Sequence, residues 1–107
     1  MKRFRVREHY KERYREYVVG SAETGRHGVY LVLGEVSANE EREMAPGGHD
    51  EILFLIEGEA VLERGETRME IERDDAVSLD PDGSYIFTAR SDCRYVVAGT
   101  HITPHSH

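Results

Sequence analysis

The chain has no tryptophan and no glutamine, one asparagine (Asn39), one cysteine (Cys93) and three prolines in 107 residues. A lone cysteine excludes a disulfide framework and points to a reducing compartment. No apolar run approaches the ~18 residues of a membrane-spanning helix. No apolar stretch follows Met1-Lys2-Arg3 where a secretory leader would carry one. The expectation is a cytoplasmic protein with no membrane partner. A phosphate-cradling glycine pattern is missing, and none of the serines sits in a nucleophile elbow. The near-absence of amides beside abundant glutamate and arginine is a bias shared with many heat-stable proteins.

What is present is a globular composition, 38% hydrophobic and 33% charged, long enough for one domain with a modest core. Net charge is -7, which disfavours nucleic acid as a partner. The charge is unevenly placed. Residues 1–17 hold seven basic and three acidic side chains, or +4, so the remainder carries seven basic and eighteen acidic, or -11. A basic arm beside an acidic body can dock on its own chain or on a neighbour.

Along the chain, Phe4 and Val6 alternate with Arg3, Arg5 and Arg7, which predicts a short strand over 2–7. Tyr10, Tyr14 and Tyr17 then fall at helical spacing, with Glu8, Glu12 and Glu16 on another face, which predicts a short amphipathic helix. Gly20 to Gly28 is loop-like. Val29 to Leu33 is an apolar run and a strand. Ala60–Glu63 and Arg68–Ile71 flank Arg64-Gly65-Glu66 and predict a hairpin. Ala76–Leu79, Tyr85–Ala89 and Arg94–Thr100 supply further strands, with Asp80-Pro81-Asp82-Gly83 as a turn between the first two. Many short strands separated by glycine and proline turns indicate a sandwich or barrel.

The stretch that organises these elements is Gly47-Gly48-His49-Asp50-Glu51-Ile52-Leu53-Phe54-Leu55-Ile56-Glu57-Gly58. Its apolar run, bounded by turn signals, predicts a strand buried on both faces. His49 and Glu51, two residues apart, point to one face of an extended chain. Glu51 and Gly58, with six residues between them, resemble the end of the first motif of the cupin family. Asp75 to Gly83 resembles the turn of the second motif, carrying its Pro81 and Gly83. The two histidine positions of the first motif fall on Ala45 and Gly47, or on Met44 and Pro46. His49 fills one only if the turn is shortened. The histidine position of the second motif falls on Tyr85 or Ile86, and its asparagine position on Arg90 or Ala89.

This resemblance, covering roughly residues 39 to 100, implies an all-β fold. The architecture it implies is an antiparallel cupin (jelly-roll) barrel with a short N-terminal strand and helix. Expected boundaries are an N-terminal strand, helix and loop over 1–28, the barrel over 29–102 and a flexible tail over 103–107. The implied site is a small-ligand pocket at Tyr85, Ile86 and Arg90, taking an anion where Arg90 anchors it. His49 and Glu51 stand as the metal candidates. Two ligands fall short of the three or four that a metal-binding cupin gathers from neighbouring strands, so the expected cofactor is none or a weakly bound divalent metal. For His49 the plainer reading is a rim residue. His105 and His107 can chelate at the surface, or reach the barrel mouth and complete a site with His49 and Glu51. Alternatives to a ligand binder are a metal-dependent isomerase, dioxygenase or lyase, and a non-catalytic association module. The expected partners are a small molecule and a second copy in a homodimer, with Ile52, Phe54 and Ile56 on the shared face.

Overall fold

The computed structural model describes residues 1–9 and 15–100. Among them run nine strands: β1 (Glu16–Val19), β2 (Val29–Val36), β3 (Glu41–Met44), β4 (Asp50–Glu57), β5 (Glu59–Arg64), β6 (Thr67–Glu72), β7 (Ala76–Leu79), β8 (Tyr85–Ala89) and β9 (Cys93–Thr100). One helical turn, α1 (Ser21–Thr24), follows β1. The strands form a five-stranded sheet in the order β1-β2-β9-β4-β7 and a four-stranded sheet in the order β3-β8-β5-β6. Every pairing is antiparallel. Leu53, Leu55, Tyr95 and Val97 of the first sheet share one buried cluster with Leu62, Phe87, Ala89 and Ile71 of the second. The sheets therefore pack face to face, and the expected antiparallel barrel with a short helix is present. No helix among the described residues is long and apolar enough to cross a membrane.

Period-2 patterning explains most of the register. In β4 Leu53 and Leu55 are fully buried, whereas Ile52 is 52% exposed and Phe54 37%. The strand expected to be buried on both faces is thus covered on one face only in a single chain. The β5–β6 hairpin closes where expected, Arg64 pairing with Thr67 across Gly65-Glu66, and Gly65 takes the positive φ that such a two-residue loop needs. The outer faces of the two sheets differ in kind. That of the first carries Val29, Leu31, Ile52 and Phe54, all exposed. That of the second carries Glu41, Glu43, Glu70 and Glu72 with Arg68.

The N-terminal expectations need correction. Residues 2–7 form no strand; a 3-10 turn occupies Val6–His9 instead. Alternation alone does not hold a strand that lacks a neighbour for its backbone groups. The N-terminal strand is β1, paired with β2 from Glu16↔Gly34 to Val19↔Leu31. Tyr17, expected on a helix, is part of it, while Tyr10 and Tyr14 lie outside the described residues, as do residues 101–107 with their histidines. The supposed loop 20–28 holds α1. There the Gly20 N–H donates to Glu23 Oε1 at 2.6 Å, and Gly25 closes the turn at φ 73°.

An arginine, a carboxylate and a tyrosine close each seam between the sheets. Where edge strands β1 and β3 meet, Arg42 donates to the Tyr95 hydroxyl at 2.9 Å and lies 3.8 Å from Glu16. Tyr95 in turn donates to Glu16. On the other side Arg64 pairs with Asp80, and the Tyr85 hydroxyl accepts the Asp80 N–H at 2.9 Å.

Candidate functional site

Strand register puts Tyr30 of β2 opposite Gly99 of β9, and Gly99 opposite Glu51 of β4. Tyr30 and Glu51 thus stand two strands apart, a separation of about 9–10 Å. A Cβ on residue 99 would come within 2.3 Å of Tyr30 Cζ. Glycine there lets the Tyr30 ring lie across β9, the situation in which a strand glycine marks close approach. The phenol consequently reaches Glu51 and donates to its Oε2. A mirrored arrangement lies further along the same two strands. Tyr95 lies across Gly34, where a Cβ would meet its ring at 2.5 Å, and donates to Glu16 on β1.

His49 joins the first arrangement through the turn before β4. Gly47 and Gly48 adopt φ of 65° and 91°, and the Gly48 N–H is tied to the Pro81 carbonyl at 2.8 Å. This turn brings His49 Nδ1 to 3.2 Å from the Tyr30 oxygen, with the two rings edge to face at 5.6 Å. Tyr30 has one proton, which goes to Glu51, so its oxygen is left to accept from Nδ1. The result is a hydrogen-bonded chain from His49 through Tyr30 to Glu51. Tyr30 is 7% exposed. Burial, followed by the hydrogen bond to Glu51 and its charge, pushes the Tyr30 hydroxyl well above the usual phenol range. Tyr30 is therefore a fixed donor and not a base.

These three groups form the polar end of a cleft of about 610 Å³. Its other walls are Val18 and the α1 turn on one side, Val32 below, and Ala45 and Pro46 of the β3–β4 turn opposite. A larger groove of about 710 Å³ lies against the outward side of the neighbouring strand ends, walled by Val29, Leu31, Ile52 and Ala98. Tyr30 and Glu51 line that groove too, so their hydrogen-bonded pair stands between the two hollows, and His49 faces the smaller one alone.

His49 and Glu51 are therefore brought together, as their spacing predicts. The other three expected site residues are not. Strand β8 turns Tyr85, Phe87 and Ala89 into the core, so Ile86 points outward and is 37% exposed. The Tyr85 hydroxyl is engaged by Asp80 and, at 3.5 Å, by Arg64. Arg90 lies past the end of β8 beside Glu59, to whose carbonyl its N–H is bonded at 2.8 Å. Its guanidinium pairs with Glu70 at 3.2 Å. That is the far end of the barrel from Glu51, and Arg90 anchors nothing in this cleft. Tyr30 was not legible as a site residue. Its only signal is one tyrosine in an apolar strand, combined with a lone glycine interrupting another.

The metal that the resemblance implies can be tested on the donor set. Among the described residues no three or more His, Cys, Asp or Glu side chains converge to hold an ion. His49 and Glu51 supply two donors, and a phenol proton already occupies Glu51 Oε2. This set does not fit a centre of three or four protein ligands.

No protein-family model matches the sequence, and no curated protein does either. Solved structures do match in fold. An ectoine synthase from P. lautus superposes with a TM-score of 0.69 at 24% identity, over 81% of this chain and 63% of that one. This chain therefore spans less than two thirds of that synthase. A Cupin 2 conserved barrel domain protein from Salinispora arenicola gives 0.71 at 14% identity, over 84% and 77%. A cupin protein from Bacteroides fragilis gives 0.71 at 12%, over 92% and 90%. The chain has the cupin fold that its motifs resemble.

Proposed function

We propose that this cupin-fold protein binds a small organic molecule in the cleft headed by His49, Tyr30 and Glu51, without a resident metal. The observation that carries the reading is the hydrogen-bonded chain of His49, Tyr30 and Glu51 in a cleft whose other walls include Val18, Ala22, Val32, Ala45 and Pro46. A volume of about 610 Å³ falls within the usual range for small-molecule sites, which combine apolar walls with a few placed polar groups. Tyr30 orients Glu51 and His49 toward a ligand, and the Gly47-Gly48 turn holds His49 in place. A metal-dependent enzyme would need three or four donors to converge, and among the described residues no three His, Cys, Asp or Glu side chains do.

The test is a nuclear magnetic resonance screen of the chelator-treated full chain against a fragment library. Hits should perturb the amides of Val18, Gly20 to Glu23, Val32 and Glu51 together, and a Tyr30→Phe variant should weaken them several-fold. Hits confined to other surfaces, or seen only after a divalent metal is added, contradict the reading.

A further inference from the structure

The charged groups around the cleft point to the class of molecule it takes. Its lining includes two carboxylates, Glu23 from α1 and Glu51 from β4, and no lysine or arginine. These carboxylates come from different walls and each already has one protein donor. Glu23 Oε1 receives the Gly20 N–H, and Glu51 Oε2 receives the Tyr30 hydroxyl. One oxygen of each remains for a ligand. Arg26, three residues beyond Glu23, is exposed and does not line the cleft, and three other arginines are committed elsewhere. Arg42 faces Glu16 and Tyr95 at the seam, Arg15 lies by Glu35, Ser37 and Glu40, and Arg90 pairs with Glu70.

We infer that the ligand is a small amphiphilic cation, an alkylammonium or related amine. Its charged head lies at Glu51 and Glu23, and its apolar chain runs along Val18, Val32 and Ala22. This rests on the cleft being the ligand site. An anion entering it would meet two carboxylates and no lysine or arginine. A neutral alcohol could bond to Glu51, but only a cation adds direct charge attraction to both carboxylates. The body of the chain, at -11 outside residues 1–17, also attracts cations from solution.

Three probes with similar four-carbon chains separate the possibilities: n-butylammonium, n-butanol and pentanoate. Each is titrated into the chelator-treated full chain and read at the amides of Val18, Gly20, Ala22 and Glu23. Butylammonium should saturate at these positions with at least tenfold higher affinity than butanol, and pentanoate should leave them unmoved. Glu51→Gln keeps an acceptor for Tyr30 and should cost butylammonium about tenfold while leaving butanol unchanged. Glu70→Gln, at the far rim, should change neither. Pentanoate binding in the cleft as tightly as butylammonium, or indifference to Glu51→Gln, overturns the cationic ligand but keeps the cleft as a site. Butylammonium shifts spread over the acidic surface and absent from the cleft also overturn it. If none of the three probes moves the cleft amides, the inference and the reading beneath it both fail.

Discussion

Tyr30 and Tyr95 solve one problem from opposite strands: each crosses a glycine to bring a phenol to a glutamate beyond. Both hydroxyls are held above the usual phenol range, by burial first and then by the hydrogen bond to the glutamate. The sign of the pH dependence follows. In the unfolded chain tyrosine ionises near ~10, so the stability contributed by the neutral phenols is complete below that pH. It is lost as pH rises from there toward the folded values. An absorbance titration of tyrosinate, compared with Tyr30→Phe and Tyr95→Phe, should show these two tyrosines un-ionised until the fold melts in strong alkali. Free titration of Tyr30 and Tyr95 near pH ~10 in folded protein would contradict the geometry. Gly99→Ala tests the crossing itself. Its Cβ would overlap the Tyr30 ring, so denaturant unfolding should show a loss of about 1–3 kcal/mol, in the range of overpacked cores. Tyr30→Phe removes both hydrogen bonds of the hydroxyl, one of them to a carboxylate, and should lose about 1.5–3 kcal/mol.

At the scale of elements, what could be read locally was legible. The β5–β6 hairpin and the turn before β8 follow from glycine and proline chemistry, and the β4 run from its apolar pattern. His49 and Glu51 could be paired because both lie on one segment. What depended on neighbours was not legible. Strand β1 exists because its residues meet β2 across a separation of about eighteen positions, as in Glu16↔Gly34, whereas the tyrosine spacing nearby read as a helix. Tyr30 enters the site across an intervening strand, which no local spacing records. Arg90 fell outside because β8 ends before it and Glu70 claims it. The same dependence on neighbours makes β1 testable. Its outer edge is unpaired among the described residues, and Glu16 ties it to Arg42 and Tyr95. Arg42→Met should raise amide exchange at Val18 and Val19 roughly tenfold, given ~1.5–3 kcal/mol for hydrogen bonds to charged groups. Exchange in β9 should hold steady; equal acceleration in both would mean the clasp stabilises the whole barrel and not the strand.

At the scale of the molecule, one sheet turns an apolar face outward and the other a charged one. Val29 at 67% exposure, beside Ile52, Leu31 and Phe54, forms the kind of contiguous apolar surface that monomers rarely leave open. A homodimer through this face is expected, and light scattering at micromolar concentration and moderate salt should give twice the chain mass. Ile52→Glu with Phe54→Glu should give a folded monomer. A monomer mass for the unmodified chain contradicts the pairing. The central claim, that Tyr30 and Glu51 organise the cleft where a metal would otherwise do so, is tested most directly by elemental analysis. The full chain is dialysed against a weak chelator and compared with His49→Ala. The account predicts well under one ion per chain in both proteins. One tightly held ion per chain, lost in His49→Ala, would contradict it.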